Sequence, residues 1–527
     1  MTKHIGFGLL FIFAICMALA ITTDHRWEDW YITFRASKNL ALGYGLKFNI
    51  GEKAVMSYTS PLGTLIPAFV KYLFVNQSDE YSIWIYRIIC AIVLGFSTKY
   101  LYQIISYLKY PIYFFYLLLL FFGFNFLVID NTINGMESAF MVFFEIYLIS
   151  ILITQPENLI RKFTFAFAGI MFTRPDGFVY AGTLIAGFYL FQVNAISTFT
   201  FPNLKKFGQA IALAFVIFLP WILITWYYYG TPVPHTIVAK SKNYSFSSVF
   251  SLLVDFILSF RGSPNLFLPS YAVNFGGWGI FKPIAQILSC ITLLFWLVPK
   301  SNNTIRALSF ASFIMILYLN VISGQGPSPW YLPSVITPSI IVLMMIFHEL
   351  YQFVYQSNPH IWLKGLYVFF IAGTLIFMTS NFYFGTRMIK YQQKFVENGN
   401  RMQIGLWLKE HAKPKDRVFM ECLGYIGFFS NLKTYDFPGM SSPEVVQARK
   451  KVNSNRYSAV INELKPEWLV LRAGEAIEIK REIPDLMTKQ YSLTKVFDVR
   501  PQIEKAHLRY GEPFLQVDAL FEVYHKN

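Results

Sequence analysis

Two adjacent carboxylates, Glu28 and Asp29, follow directly on the first apolar run, inside Asp24-His25-Arg26-Trp27-Glu28-Asp29-Trp30-Tyr31. Carboxylates in a cleft do acid–base chemistry when a polar reactant can reach them. A helical apolar pattern over Tyr31, Phe34, Arg35, Lys38, Asn39 and Leu40 comes next, which puts the pair at a helix start, where backbone donors favour negative charge. A structural reading is equally open: a capped interfacial helix with Trp27, Trp30 and Tyr31 as an aromatic belt. The functional reading turns one carboxylate toward a cavity at the membrane boundary. Further along, Thr173-Arg174-Pro175-Asp176-Gly177 interrupts an apolar stretch. An arginine there is costly without a partner, and Asp176 and Glu137 are candidates for an internal salt bridge. Asp130 closes one apolar run and Glu137 opens another, as helix caps or as lining of a polar cavity.

These residues are set among elements whose composition is plain. Charged residues make up only 14% of the 527 residues and mean hydropathy is +0.42, too few charges to cover a soluble protein of this size. Charge returns after residue 385, the first domain boundary. Apolar runs near 5–22, 82–98, 111–128, 137–153, 162–173, 178–193, 208–227, 284–298, 305–320, 334–350 and 364–380 predict about eleven spans. The run starting at Ile5 reads as an uncleaved first span. Basic turns at Lys3, Lys99 with Lys109, Arg161 with Lys162, Lys205 with Lys206, Lys300 with Arg306, and Lys364 fall on every second connection. The positive-inside rule then puts the N-terminus in the cytoplasm and the C-terminal domain outside.

The formal charge of +15 resides largely in these turns, where anionic lipid accounts for it and nucleic acid does not. Four scattered cysteines make neither a disulfide framework nor a metal site. Pro61 to Val75 reads as a re-entrant or interfacial helix, and 162–173 with 178–193 as a broken helix around Arg174 or one long kinked helix.

Beyond a connector at 385–400, residues 401–527 read as a soluble α/β domain. Helices are expected at Met402 to His411 and Ser442 to Ala448, and strands at Arg417 to Cys422, around Thr434, and at Trp468 to Arg472, Tyr491 to Val499 and Ala519 to Tyr524. The GxxG of Gly424 to Gly427 is a weak dinucleotide fingerprint.

The first outer loop, 23–81, carries Glu28-Asp29, Tyr31-Ile32-Thr33-Phe34-Arg35, Gly43-Tyr44-Gly45-Leu46, Phe48-Asn49 and Tyr58-Thr59-Ser60-Pro61. It resembles the first extracytoplasmic loop of bacterial GT-C glycosyltransferases, particularly the mycobacterial arabinofuranosyltransferase type. Asn134 to Glu137, Thr173 to Gly177, Gly230 to Lys240 and the tail from Trp407 to Gly439 resemble later family motifs in the same order. Glu28 stands where the family usually has aspartate, and His235 where it has asparagine.

The resemblance implies a mostly α-helical polytopic GT-C-like module over 1–384 with a C-terminal extracytoplasmic α/β domain, in a bacterial cytoplasmic (inner) membrane. It implies a polyprenyl-phosphate-linked sugar donor, an envelope glycan, lipid or protein acceptor, the bilayer as partner, and no nucleic acid. Asp29 is then the general base of an inverting single displacement. Glu28 orients it, binds acceptor or, with Asp29, holds a divalent cation such as Mg or Mn. Arg174, His235, Lys240 and Arg35 are the expected donor-phosphate contacts, and Glu137, Asp130, Asp176, Tyr58, Trp330 and Tyr331 the expected cavity or acceptor contacts. For Trp330, in the loop from Ser323 to Tyr331, anchoring at the interface is an alternative. The loop 228–283, with Arg261, Asn265 and Trp278, suits an acceptor-binding segment or plain surface cover. The competing function is a transporter or flippase, for which no internal repeat is found.

Overall fold

A computed structural model describes residues 2–192, 201–240, 250–251, 265–322, 328–356 and 360–527. Arg261 and the Ser323–Pro327 part of the aromatic loop lie outside the described residues. The helices are α1 (Thr2–Thr23), α2 (Glu28–Ala41), α3 (Pro61–Leu73), α4 (Asp79–Tyr107), α5 (Ile112–Gly123), α6 (Phe126–Ile133), α7 (Ser138–Thr154), α8 (Leu159–Thr173), α9 (Gly177–Gln192), α10 (Phe201–Tyr229) and α11 (His235–Lys240), followed by apolar helices at Phe281–Leu294, Asn303–Leu317, Leu332–Gln356 and Ile361–Tyr391.

Every stretch expected to cross the membrane falls on a helix. Among the described residues six helices are long and apolar enough to cross, and α5 with α6, bent by 62°, makes a seventh if the pair is one span. Ser138–Thr154, Gly177–Phe191 and Phe281–Leu297 are apolar but shorter. The segment Pro61 to Val75 forms the 13-residue α3, about 20 Å long and too short for a hydrocarbon core of about 30 Å. Its Leu65, Phe69, Tyr72 and Leu73 are exposed, while Thr64, Ala68 and Lys71 are buried.

The chain divides into two compact units. The first comprises Met1–Thr22, Arg87–Pro220 and Asn243–Thr386. It is helical, with a core rich in aromatic and branched side chains such as Phe114, Phe122, Ile149, Ile336 and Met344. The second comprises Thr23–Tyr86, Trp221–Lys242 and Arg387–Asn527. It thus holds the first loop, the Trp221–Lys242 segment and the tail together.

The tail is built on a five-stranded sheet of order β2-β1-β3-β5-β4, with β1 Arg417–Met420, β2 Lys433–Asp436, β3 Trp468–Arg472, β4 Tyr491–Asp498 and β5 Leu520–Lys526. β1 pairs parallel with β2 and β3, and β5 pairs antiparallel with β3 and β4. Alternation sorts the side chains onto two cores. Val418, Met420, Val470 and Val523 pack with Ile404, Leu408 and Ile426. Phe419, Leu469 and Leu471 pack with Val445, Val460 and Ile479 on the other side. Helices therefore cover both faces of β1 and β3, which fits their short, nearly continuous apolar runs.

The connector expected at 385–400 is helical. Gln392–Arg401 winds as a π-helix and leads into the helix Met402–His411. Its polar composition reads as a linker, yet Gln392, Gln393, Glu397, Asn400 and Arg401 are buried. They are stabilised by mutual bonds: Gln392 Nε2 and Arg401 Nη1 donate to Glu397 Oε1 at 2.9 and 2.7 Å, and Arg401 Nη2 donates to Asp518 Oδ2 at 2.6 Å. Removing Arg401 leaves buried Glu397 without a cationic partner and Asp518 with Arg472 alone. Arg401→Met is expected to cost about 3–5 kcal/mol, against under about 1 kcal/mol for Lys451→Met at an exposed pair, read from thermal unfolding of the full-length protein in detergent.

Candidate active site

Glu28 and Asp29 occupy the first turn of α2, as expected. Trp27 precedes them without a side-chain cap, so the carboxylates themselves complement the helix N-terminus. Asp29 is half-buried. The Glu28 Oε1 accepts the Gly424 N–H at 2.9 Å, and its Oε2 lies 3.5 Å from Arg401 Nη1. Gly424 belongs to the helix Leu423–Ser430, which follows β1. The glycine turn that resembles a phosphate cradle in sequence thus receives a carboxyl group of its own chain.

Around Glu28 the charges are unbalanced. Arg401 meets Glu397, Asp518 and Glu28, and Arg472 meets Asp518, Glu421 and Glu475. Two guanidinium groups therefore serve five carboxylates among the described residues. Burial, with Glu421, Glu397 and Asp29 adding repulsion against the attraction of Arg401, pushes the Glu28 carboxyl up to about 8. Asp518 sits between both arginines, whose attraction outweighs burial and holds it below the usual carboxylate range.

Arg35, expected at the donor phosphate, is buried and occupied: Nη1 donates to Gly427 O at 2.5 Å, Nη2 lies 3.3 Å from Asn49 Oδ1, and the guanidinium stacks 4.3 Å from the Phe48 ring centre. Tyr58 is buried, its hydroxyl 3.0 Å from that of Tyr229, which in turn donates to Leu46 O. His235 begins α11 and its backbone N–H donates to Met56 O at 2.9 Å. Its Nε2 is buried without a hydrogen-bond partner among the described residues, and burial lowers its proton affinity. Lys240 ends α11, half-buried. Arg449 ties this segment to the tail by donating to Ala239 O and Pro438 O at 2.9 and 2.8 Å.

The remaining candidates lie in the first unit. Arg174 interrupts the helix between α8 and α9 in extended conformation, φ −151° and ψ 130°, so the broken-helix reading holds. It is buried, bonded to Glu137 Oε1 at 2.9 Å and Asp176 Oδ1 at 3.1 Å, and stacked 4.2 Å from the Tyr331 ring centre. Both salt bridges foreseen as alternatives form at once. Trp330 O accepts the Ser138 hydroxyl at 3.5 Å. Asp130 is fully buried, 3.5 Å from Asn134 Nδ2. Glu145, two turns beyond Glu137 on α7, is buried with Oε2 unpartnered among the described residues. The sequence signal for it was present, since an acid within an apolar run is itself costly. Arg401, Arg472 and Asp518 carried no such signal, because charged residues are ordinary in a soluble domain.

Comparison with known proteins adds the fold. A family described as "Domain of unknown function (DUF8728)" matches residues 387–524. No curated protein matches by sequence. Two crystal structures of ArnT from Cupriavidus metallidurans, in the apo state and bound to undecaprenyl phosphate, superpose with TM-scores of 0.55 and 0.54 at 9% and 11% identity. They cover 98% of this chain, and 97% and 98% of theirs. An oligosaccharyltransferase from Archaeoglobus fulgidus, tethered to an acceptor peptide, superposes with a TM-score of 0.51 at 11% identity, over 88% of this chain and 69% of that one. The chain shares the fold of these structures. The chain is accordingly a polytopic membrane protein with a C-terminal sheet domain.

Glu28 gives a pH test. With its proton affinity raised from an unfolded value near 4.5, the folded state holds an extra proton between about pH 4.5 and 8. The resulting stability is complete below that window and is lost as pH rises through 8. Glu28→Gln keeps an acceptor for Gly424 and cannot ionise. Relative to wild type it is expected to gain stability steadily from about pH 5 to about pH 8 and to level off above that in thermal unfolding; a pH-independent difference would contradict the assignment.

Proposed function

We propose that this protein is a membrane glycosyltransferase that moves a sugar from a polyprenyl-phosphate donor to an envelope glycan, lipid or protein acceptor. The observation that carries the reading is the superposition over 98% of the chain on ArnT bound to undecaprenyl phosphate. The first-loop resemblance, with an acid pair at the start of α2, supports it independently.

The chemistry follows from the acid pair. Asp29 accepts the proton of the acceptor hydroxyl as its oxygen attacks the anomeric carbon. The bond from that carbon to phosphate breaks, and polyprenyl phosphate leaves with the electron pair. A single displacement requires one well-placed carboxylate and inverts the anomeric centre, unlike the paired carboxylates of a glycoside hydrolase. Glu28 is already bound to Gly424 and Arg401, so it serves α2 while Asp29 serves the reaction. His235 and Lys240 are the basic-side candidates for donor phosphate in the second unit. In the first unit Arg174 is already paired with Glu137 and Asp176. Among the described residues no three His, Cys, Asp or Glu side chains form a metal-holding group.

Asp29→Asn is expected to lower transfer from labelled polyprenyl-phosphate sugars by about 10²–10⁴-fold with an unchanged elution profile in detergent. Retained turnover removes Asp29 from the base role. Counterflow of a lipid-linked sugar without release from any pentose, hexose or aminosugar donor overturns the transferase reading in favour of a carrier.

A further inference from the structure

The tail has a specific physical relation to α2. Gly424 approaches the Glu28 backbone so closely that a Cβ there would lie 2.1 Å from the Glu28 carbonyl oxygen. At the same point the Gly424 N–H binds the Glu28 carboxyl. Seven residues on, Arg35 donates to Gly427 O and reaches Leu432 O at 3.4 Å. Between these attachments Tyr31 packs on the rings of Tyr425, Phe428 and Phe429 at 4.5, 4.7 and 5.3 Å. The Tyr425 hydroxyl also donates to Arg26 O at 3.2 Å, just ahead of α2.

One attachment would let a helix pivot. Two attachments seven residues apart, about 10 Å along the axis and on nearly the same face, fix its rotation and its tilt together. Asp29 lies between them, one residue past Glu28, so its direction from the helix axis is set by the same contacts. Misplacement of a reacting group by about 1 Å can cost a hundredfold in rate.

We infer that the C-terminal domain is a positioning module for the base, with Gly424 and Tyr425 acting through α2 on Asp29. The inference rests on the proposed role of Asp29. The GxxG of the tail has its function here: a side chain at Gly424 displaces α2, and the Gly427 carbonyl receives Arg35. The domain contributes geometry to the reaction without touching substrate.

The test uses the full-length protein in detergent, with steady-state transfer from a labelled polyprenyl-phosphate sugar and amide hydrogen exchange over residues 28–41. Gly424→Ala is expected to speed exchange over 28–41 about tenfold or more and to lower kcat about 10- to 100-fold, with KM for donor within about twofold. Exchange in β1 and β3 stays as in wild type. Tyr425→Phe, which removes only the hydroxyl, shifts both quantities the same way by less, and decides the matter if Gly424→Ala does not fold. Unchanged kcat in a folded variant with faster exchange overturns the positioning role, as does unchanged exchange. A rise in KM alone also overturns it. Should Asp29→Asn remain active, the base assignment fails, while exchange over 28–41 separately reports whether the tail holds α2.

Discussion

The second unit depends on a carboxyl group bound at the start of a helix. The first amides of Leu423–Ser430 have no intrahelical acceptors, and Gly424 presents one of them to Glu28 across a separation that only a residue without a side chain permits. Around this contact Arg401 and Arg472 bind five carboxylates contributed by α2, the π-helical segment, the end of β1, the helix Ala473–Glu482 after β3, and the loop before β5. No one of these elements could bury its charge alone. The local excess of acid is tolerable because Glu28 takes up a proton, so the docked state carries less repulsion than its formal charges suggest.

The first unit uses the same physics in an apolar setting. Arg174 is bound from two sides by Glu137 and Asp176 and covered by the Tyr331 ring. Such compensation lets an arginine remain at a helix break within a bundle of apolar helices. It also fixes the break: the Arg174 N–H still donates to Ile170 O at 2.8 Å, and Gly177 N–H donates to Arg174 O at 2.9 Å. The interruption is a bonded turn between α8 and α9, with its backbone groups used. Arg87, on α4, is another buried guanidinium, its Nε donating to Ile133 O at 2.7 Å. In each case a cation sits where helix ends leave polar groups to satisfy.

Much of this was legible in the sequence, and the exceptions have physical causes. Alternation and β-branched runs located all five strands, with Trp468–Arg472 matched at both ends. Apolar runs located the helices, and the cost of an isolated arginine pointed to Arg174 with both of its partners. The segment Gln392–Arg401 was hidden because burial there is achieved through long-range ion pairs, and local composition cannot reveal partners more than a hundred residues away such as Asp518. Gly424 was visible as a helix-start glycine but not its occupant: a phosphate and a carboxylate make the same demand on an exposed amide. Arg35 has the charge for phosphate, yet tertiary contacts direct it to the Gly427 carbonyl and the Phe48 ring.

The two neighbouring acids illustrate how one sequence step separates scaffold from chemistry. Successive residues on an α-helix point about 100° apart, so Glu28 and Asp29 face different directions from the axis of α2. Glu28 is the longer of the two, and its extra methylene extends the carboxyl to the Gly424 amide while its backbone carbonyl is already against that glycine. An aspartate there would retract the carboxyl by about 1.5 Å and leave the amide to find another acceptor. The glutamate at position 28 is therefore matched by a glycine on the opposing helix. Placing the acceptor for the tail and the proposed proton acceptor for the substrate on consecutive residues makes their geometry inseparable. Whatever rotates α2 to improve one contact disturbs the other, and this coupling is the physical basis of the proposal that the sheet domain positions Asp29.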